Sequence, residues 1–357
     1  MKRLLLILLF TFVFASVALA AEVGGLVYHD VNDTAASAYW QWFDWHDEAL
    51  PGVRVELMGA ESGQLTRTGA DGRFSFLGVE PGSYLVDITF PAGEDPNCVS
   101  HNRAIRLPEA IREGHIKLVA FGDSNGVYGS NKPYPTWLAE YLTPLAETEL
   151  FNLSVEGTTS WDWQPGGSLF ENTLSPELAD ADVITFTLGG NDYLNYFGYP
   201  PYTPEQIWQL LQGLPTVYET MRANLESIIA EVRARAPQAD LVYVIYPCFS
   251  NSEIWHQMLG EMWPWMRLGN FAMFSTIRHQ MGEQSFLLLA DVLGSFEPFE
   301  MIDAYLFDQI HPNDLGHEWY ARQVFYSLGG VLVDADSTGL ERQIALADDG
   351  AAGPRAW

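Results

Sequence analysis

Positive charge is what this chain has least of. Its 357 residues include 18 Lys and Arg against 46 Asp and Glu, a formal charge of −28. Charged residues make up 18% of the chain, below the roughly 25% usual in soluble proteins. The acidity therefore comes from scarce cations more than from abundant carboxylates. Such a surface repels phosphate backbones and anionic headgroups, which argues against a nucleic-acid-binding role. Cysteine is nearly as rare. Cys98 and Cys248 are the only two, too few for a disulfide framework. They either pair, tying the interdomain linker to the second domain, or stay as separate buried thiols. No Cys/His cluster has zinc spacing and no Gly-rich loop has nucleotide-binding form, so the expected chemistry uses no cofactor. What is plentiful is apolar: 48% hydrophobic and 13% aromatic residues suffice for a full core and exclude global disorder.

Long apolar runs are also missing after the first twenty residues. Lys2 and Arg3 precede the run from Leu4 to Val17, and Ala18-Leu19-Ala20 closes it in the pattern of a secretory cleavage site. About fourteen apolar residues fall short of the ~20 that span a bilayer. The expectation is a signal peptide over 1–20, cleaved after Ala20 or Ala21, with no Cys following to carry a lipid. The protein is then secreted, extracellular or periplasmic, with no transmembrane anchor. Losing Lys2 and Arg3 takes the charge from −28 to −30.

Two regions follow. Over 22–90 the apolar runs are short and alternating, as in Gly52 to Leu57, Gly72 to Phe76 and Ser83 to Ile88. Ala70-Asp71-Gly72 and Glu80-Pro81-Gly82 supply turns. This predicts an N-terminal all-β sandwich domain. The pieces Gly25 to Asn32, Leu50 to Val55, Asp71 to Phe76 and Pro81 to Tyr84 resemble the prealbumin-like, B-type repeat of bacterial surface proteins. Some relatives hold calcium in the first loop, and Asp30, Asn32, Asp33, Asp44 and Asp47 offer oxygen ligands here. Ala35 to Ala38 and the aromatic stretch Tyr39 to Trp45 break the family spacing, leaving a solvated acidic loop as the alternative. Trp40, Trp42, Phe43 and Trp45 either bind a polymer or pack against the second domain.

A linker over 91–114, rich in Pro, Gly and polar residues up to Pro108, leads to strand–helix alternation over 115–330. Buried-type strands are read at Ile116 to Phe121, Leu150 to Leu153, Val183 to Leu188, Leu241 to Tyr246 and Phe286 to Ala290. Val217, Met221, Leu225, Ile228, Ile229 and Val232 share one helix face, and Pro237 lies past its end. Five strands with crossover helices give an α/β fold with an open five-stranded parallel sheet. The small, acidic tail over 331–357 is expected to be poorly ordered.

In such sheets ligands sit beyond the carboxyl ends of the strands. Gly122-Asp123-Ser124-Asn125-Gly126 follows the first strand, Ser154 to Gly157 the second and Gly189-Gly190-Asn191-Asp192 the third. Asp308-Gln309-Ile310-His311-Pro312 comes after the fifth. A serine hydroxyl needs a neighbouring base, and a histidine, His311, is the natural one near neutral pH. Asp308 can fix the histidine tautomer. The Ser124 and Gly157 backbone N–H groups and the Asn191 amide can then form an oxyanion hole. Asp291, at the fifth strand's end, is the rival partner for the histidine. His317, in the following helix, reads as a surface or packing residue.

These four blocks, in order, resemble those of the SGNH hydrolases of the GDSL esterase/lipase family, with Asn125 where the namesake motif has Leu. The resemblance covers about 216 residues. It implies a flavodoxin-like three-layer α/β/α sandwich, catalytic Ser124, Asp308 and His311, and ester hydrolysis. Trp161, Trp163 and Tyr193, near the oxyanion residues, are candidate substrate-binding residues, as are Tyr196, Phe197 and Tyr199. Trp255, Trp263 and Trp265 are read more as packing. The expected substrate is a small or polymer-borne O-acetyl or short-acyl ester with carbohydrate contact. A lipid ester is the close alternative, and a surface-binding protein with an inactive hydrolase domain the distant one.

Overall fold

The structure, a computed structural model, describes residues 21–29, 48–59, 63–89, 104–198, 203–282, 284, 287–333 and 345–348. The expected signal peptide over 1–20, the acidic loop with Asp30, Asn32, Asp33, Asp44 and Asp47, the aromatic residues Trp40, Trp42, Phe43 and Trp45, and Cys98 and Tyr199 lie outside them. Among the described residues no helix is long and apolar enough to cross a membrane.

The first strands are β1 (Ala21–His29), β2 (Glu48–Ala49), β3 (Arg54–Met58), β4 (Gln64–Arg67), β5 (Arg73–Val79) and β6 (Gly82–Thr89). Helix α1 (Leu107–Glu113) then precedes β7 (His115–Gly122), α2 (Tyr134–Leu142), β8 (Glu147–Asn152), α3 (Ser175–Leu178), β9 (Val183–Thr187), α4 (Gly190–Phe197) and α5 (Pro204–Arg235). The chain continues through β10 (Asp240–Ile245), α6 (Glu253–Leu259), α7 (Trp263–Gly282), β11 (Leu287–Asp291), α8 (Asp314–Ser327), β12 (Gly330–Val333) and β13 (Ala345–Asp348).

The α/β domain is built on one parallel sheet in the order β11-β10-β9-β7-β8. In chain order this is 2-1-3-4-5 read from the other edge, the flavodoxin-like winding, whose switch point lies at its first strand. β9 and β10 are buried at every position, as expected of central parallel strands covered on both faces. One face carries Val119, Phe121, Ile184, Phe186 and Tyr243 against Leu225, Ile228 and Val232 of α5 and Phe274 and Ile277 of α7. The other carries Leu118, Val183, Val242 and Val244 against Leu107 of α1, Leu138 of α2 and Val324 and Phe325 of α8. This is the three-layer α/β/α sandwich. α5 begins earlier than its apolar stripe suggests, because Thr203 and Gln206 form a capping box.

The β domain is two sheets, antiparallel throughout except that β13 runs parallel to β1. β1 pairs with β5, β2 and β13, and the other sheet runs β12-β6-β3-β4. Two expectations change here. The stretch read as linker to residue 114 ends in α1, whose start is anchored by buried Asp240: its carboxylate accepts N–H bonds from Ile105, Arg106 and Leu107. The tail is not wholly unstructured either. Gly330–Val333 returns as β12 to pair with β6, and Ala345–Asp348 adds beside β1. Val331 and Val333 enter the sandwich core with Val55, Phe74 and Ile88. The α/β domain is thus inserted between two strands of the sandwich. Four residues are too few to register as a strand, and the strand they pair with lies about 250 residues upstream.

The two domains share a core. Met58 and Leu85 project from the outer face of the β12-β6-β3-β4 sheet into the cluster of α1 and α8. Arg112 of α1 reaches Asp87 and Glu56 on that same face, and the buried Asp87 carboxylate gains the partner that burial demands.

Candidate active site

Ser124 opens a short 3₁₀ turn directly after β7. Asp123 caps the turn: its Oδ1 accepts the Asn125 N–H at 3.0 Å, and its Oδ2 accepts the Tyr246 hydroxyl at 2.5 Å. Burial pushes the Asp123 carboxyl up to about 6, against the pull of those donors. The carboxylate holds the turn through Asn125, the residue after the serine, and among the hydrogen bonds of the described residues it makes none to the Ser124 hydroxyl.

Asp308 and His311 lie on the loop between β11 and α8. Asp308 Oδ1 accepts the N–H groups of Ile310 and His311, both at 2.9 Å. Its Oδ2 is 2.8 Å from His311 Nδ1, and His311 Nε2 is 3.0 Å from Ser124 Oγ. Burial alone would raise the Asp308 carboxyl; the Ile310 N–H and the His311 ring and N–H outweigh it and hold the group below its ordinary value. An ionised acceptor on Nδ1 places the Nδ1 proton there and leaves Nε2 as the acceptor for the serine hydroxyl. Asp291, the rival, is committed elsewhere: it faces Arg278 at 2.5 Å and accepts the Gly294 N–H.

The second and third blocks meet across the site. Gly157 sits at φ +76° on an open stretch of loop, a backbone conformation that favours glycine. Asn191 Nδ2 donates to Thr158 O at 2.8 Å. Asp192 accepts the Ser160 N–H and hydroxyl at 2.9 and 2.5 Å. The start of α4 therefore clamps the loop that carries Gly157. Behind that loop, Thr158 Oγ1 accepts from the Trp163 indole N–H at 3.0 Å and lies 2.8 Å from Val155 O.

This corrects two candidate substrate residues. Trp163 is wholly buried, its ring tilted 54° to that of Phe121 with centroids 5.2 Å apart, and supports the oxyanion-side loop from within. Tyr193 is also buried, with its hydroxyl on Met266 Sδ at 2.9 Å. Both side chains face the core because sequence proximity to a site residue does not fix which side of a turn a ring takes. Trp161 is 72% exposed. Of the second tryptophan group, Trp255 is buried and donates to Gln309 O at 2.7 Å, bracing the loop of Asp308. Cys248 is a buried thiol beside Ser250.

Residues that sequence reasoning missed border the histidine. The Tyr128 ring centroid lies 4.4 Å from that of His311, and Phe307 meets Tyr128 edge-on at 5.9 Å. A signal was present: Tyr128 follows Ser124 by one turn, and Phe307 directly precedes Asp308.

His317 proves to be a buried brace. Its Nδ1 accepts the Tyr134 N–H at 3.1 Å and its Nε2–H donates to Tyr128 O at 2.7 Å. Burial lowers its pKa to about 4, against about 6.5 in the unfolded chain. Between those values the unfolded chain binds a proton that the folded chain does not, so this group's contribution falls on acidification, by up to ~3 kcal/mol. Asp123 and Asp240, pushed up to about 6 by burial, act in the opposite sense over a similar range. The His317 effect is therefore read by difference. From pH 7 to 4.5, wild-type stability to urea is expected to fall relative to His317→Gln; parallel curves would contradict the brace.

Residues 120–319 match the model of the GDSL-like lipase/acylhydrolase family, more than half of the chain. The chain is similar to an extracellular lipase from Streptomyces rimosus, with 16% identity, 59% of this chain and 99% of that one covered, and a TM-score of 0.49. It is similar to a phospholipase A1 from Streptomyces albidoflavus NA297, with 18% identity, 59% and 98% covered, and a TM-score of 0.48. An acetyl xylan esterase from Geobacillus stearothermophilus matches at 19% identity, 61% and 97% covered, and a TM-score of 0.42. No curated protein sequence gives a significant match. With the family model spanning the strand ends that carry Ser124, Gly157, Asn191, Asp308 and His311, the chain belongs to the GDSL-like lipase/acylhydrolase family and is a carboxylic ester hydrolase.

Proposed function

We propose that this is an exported serine esterase acting through an acyl-enzyme on O-acetyl or other short-acyl esters, those borne by polysaccharides included. The observation that carries the mechanism is the unbroken relay from Asp308 through His311 to Ser124, at 2.8 and 3.0 Å. His311 Nε2 takes the hydroxyl proton as Ser124 Oγ bonds to the ester carbonyl carbon. The resulting oxyanion is met by the Ser124 and Gly157 N–H groups and by Asn191 Nδ2, which has a second N–H besides the one on Thr158 O. Collapse breaks the bond to the alcohol oxygen, which leaves with the proton from His311. Water then repeats the sequence on the acyl-enzyme, releasing the acid and restoring Ser124. Asp308 keeps its charge throughout and stabilises the imidazolium.

Charge supports the substrate class. A chain at −28 is repelled by anionic lipid surfaces, whereas a neutral acetylated glycan imposes no such cost. Across p-nitrophenyl esters, kcat/KM is expected to be highest at acetate or butyrate and to fall steadily with chain length. A maximum at octanoate or longer would move the assignment to lipid esters.

A further inference from the structure

The ester's two halves leave the reacting carbon in different directions, and the proton relay says which half goes where. His311 Nε2 must protonate the departing alcohol oxygen, so that oxygen comes within about 3 Å of Nε2. Whatever the oxygen is bonded to then lies beside His311, while the carbonyl oxygen turns to Gly157 and Asn191. What lies beside His311 is aromatic. Tyr128 is tilted 56° to the imidazole with centroids 4.4 Å apart, and Phe307 stands at 81° to Tyr128. Both rings are open to solvent, at 37% and 59% exposure.

These rings are held by their backbones as well as by each other. Tyr128 N–H donates to Ser124 O at 2.7 Å, and its carbonyl accepts from His317 Nε2 at 2.7 Å. Phe307 N–H donates to His311 O at 2.8 Å. Between them Gly129, at φ +92°, lies so close to the next segment that a Cβ would fall 2.2 Å from Pro312 O. A pair of exposed rings fixed at right angles beside a catalytic base contributes little to a core. It offers one aromatic face, one aromatic edge and a phenolic hydroxyl to whatever enters.

We infer that Tyr128 and Phe307 form a subsite for the alcohol half of the ester, and that the alcohol is a sugar ring. This rests on the esterase mechanism proposed above and adds which residues read the leaving group. A pyranose has an apolar C–H face that lies flat on an aromatic ring and hydroxyls that meet the phenol. A primary alkyl alcohol has no face to match the paired rings.

The test uses the full-length enzyme with two acetates that share the acyl group and differ in the alcohol: a mono-O-acetylated methyl glycoside and ethyl acetate. Phe307 is the residue to change, because it touches Tyr128 and its exposed side chain can be cut back without opening a core. Phe307→Ala is expected to lower kcat/KM on the sugar acetate roughly three- to tenfold more than on ethyl acetate. Phe307→Leu, which keeps bulk without the ring face, should fall between. Equal losses on both acetates, or none, would overturn the subsite, as would a larger loss on ethyl acetate. Ser124→Ala run alongside separates the two claims: if it still hydrolyses ethyl acetate, the serine mechanism fails, whatever the Phe307 ratio shows.

Discussion

Ser124→Ala is expected to fold normally and to lose ester hydrolysis by about five to six orders of magnitude in kcat. Its Oγ lies 3.0 Å from His311 Nε2 and is the atom that would bond to the acyl carbon; nothing else in the relay can replace it. The fold does not depend on that hydroxyl. The turn is set by the backbone, with Ser124 O accepting the N–H groups of Val127 and Tyr128, and by the Asp123 cap. Melting temperature should therefore change little while turnover of p-nitrophenyl acetate disappears. Because Ser124 and His311 act as one unit, the double variant with His311→Ala should be no slower than either single one. Losses that multiplied would mean that the two residues serve separate steps.

The second large effect is at Asn191. Removing one oxyanion donor typically costs on the order of 10²–10³ in kcat, and Asn191→Ala is expected to fall in that range with KM little changed. The donor matters most once charge has developed on the carbonyl oxygen, so its loss is felt in the transition state and not in substrate binding. Asn191→Asp is the sharper variant. It keeps the shape but sets an acceptor against both the oxyanion and Thr158 O, which now receives the amide N–H at 2.8 Å. It should be at least as slow as the alanine variant. A rise in KM at unchanged kcat would place Asn191 in ground-state binding instead.

The parts of this site that could be read from sequence were those fixed by strand ends. A parallel sheet delivers the residue after each strand to one edge, so Ser124, Gly157 and Asn191 could be brought together from order alone, and the three-residue spacing of Asp308 and His311 fits one turn of chain. Asp291 could not be dismissed that way, because only the fold shows Arg278 beside it. Trp163 was misread for a similar reason. Its ring turns inward to serve Thr158, and a composition rich in aromatics does not say which rings face the core. Tyr128 and Phe307 went unnoticed because they meet across 179 residues and become neighbours only when the β11–α8 loop closes over the serine turn.

The domain organisation shows the same limit. β6 reads as a strand by its own alternation, but four of its consecutive residues, Leu85 to Ile88, are buried. That follows from its position between the sandwich core and the hydrolase core, with Leu85 facing one and Val86 the other. The sheet that holds it is completed by β12, on the far side of the inserted domain. The two domains are consequently joined by two chain crossings, a shared apolar cluster and the Arg112–Asp87 pair, rather than by a single loose linker.

The measurement that bears most directly on the central claim is the site of covalent attachment of a fluorophosphonate, a reagent that captures a serine only when a neighbouring base activates it. Intact-mass analysis of the wild-type protein should show one adduct, and peptide mapping should place it on Ser124. Ser124→Ala should take up none, and His311→Ala should be labelled far more slowly. An adduct on another residue, or equal labelling of the Ser124→Ala protein, would contradict the assignment of Ser124 as the nucleophile.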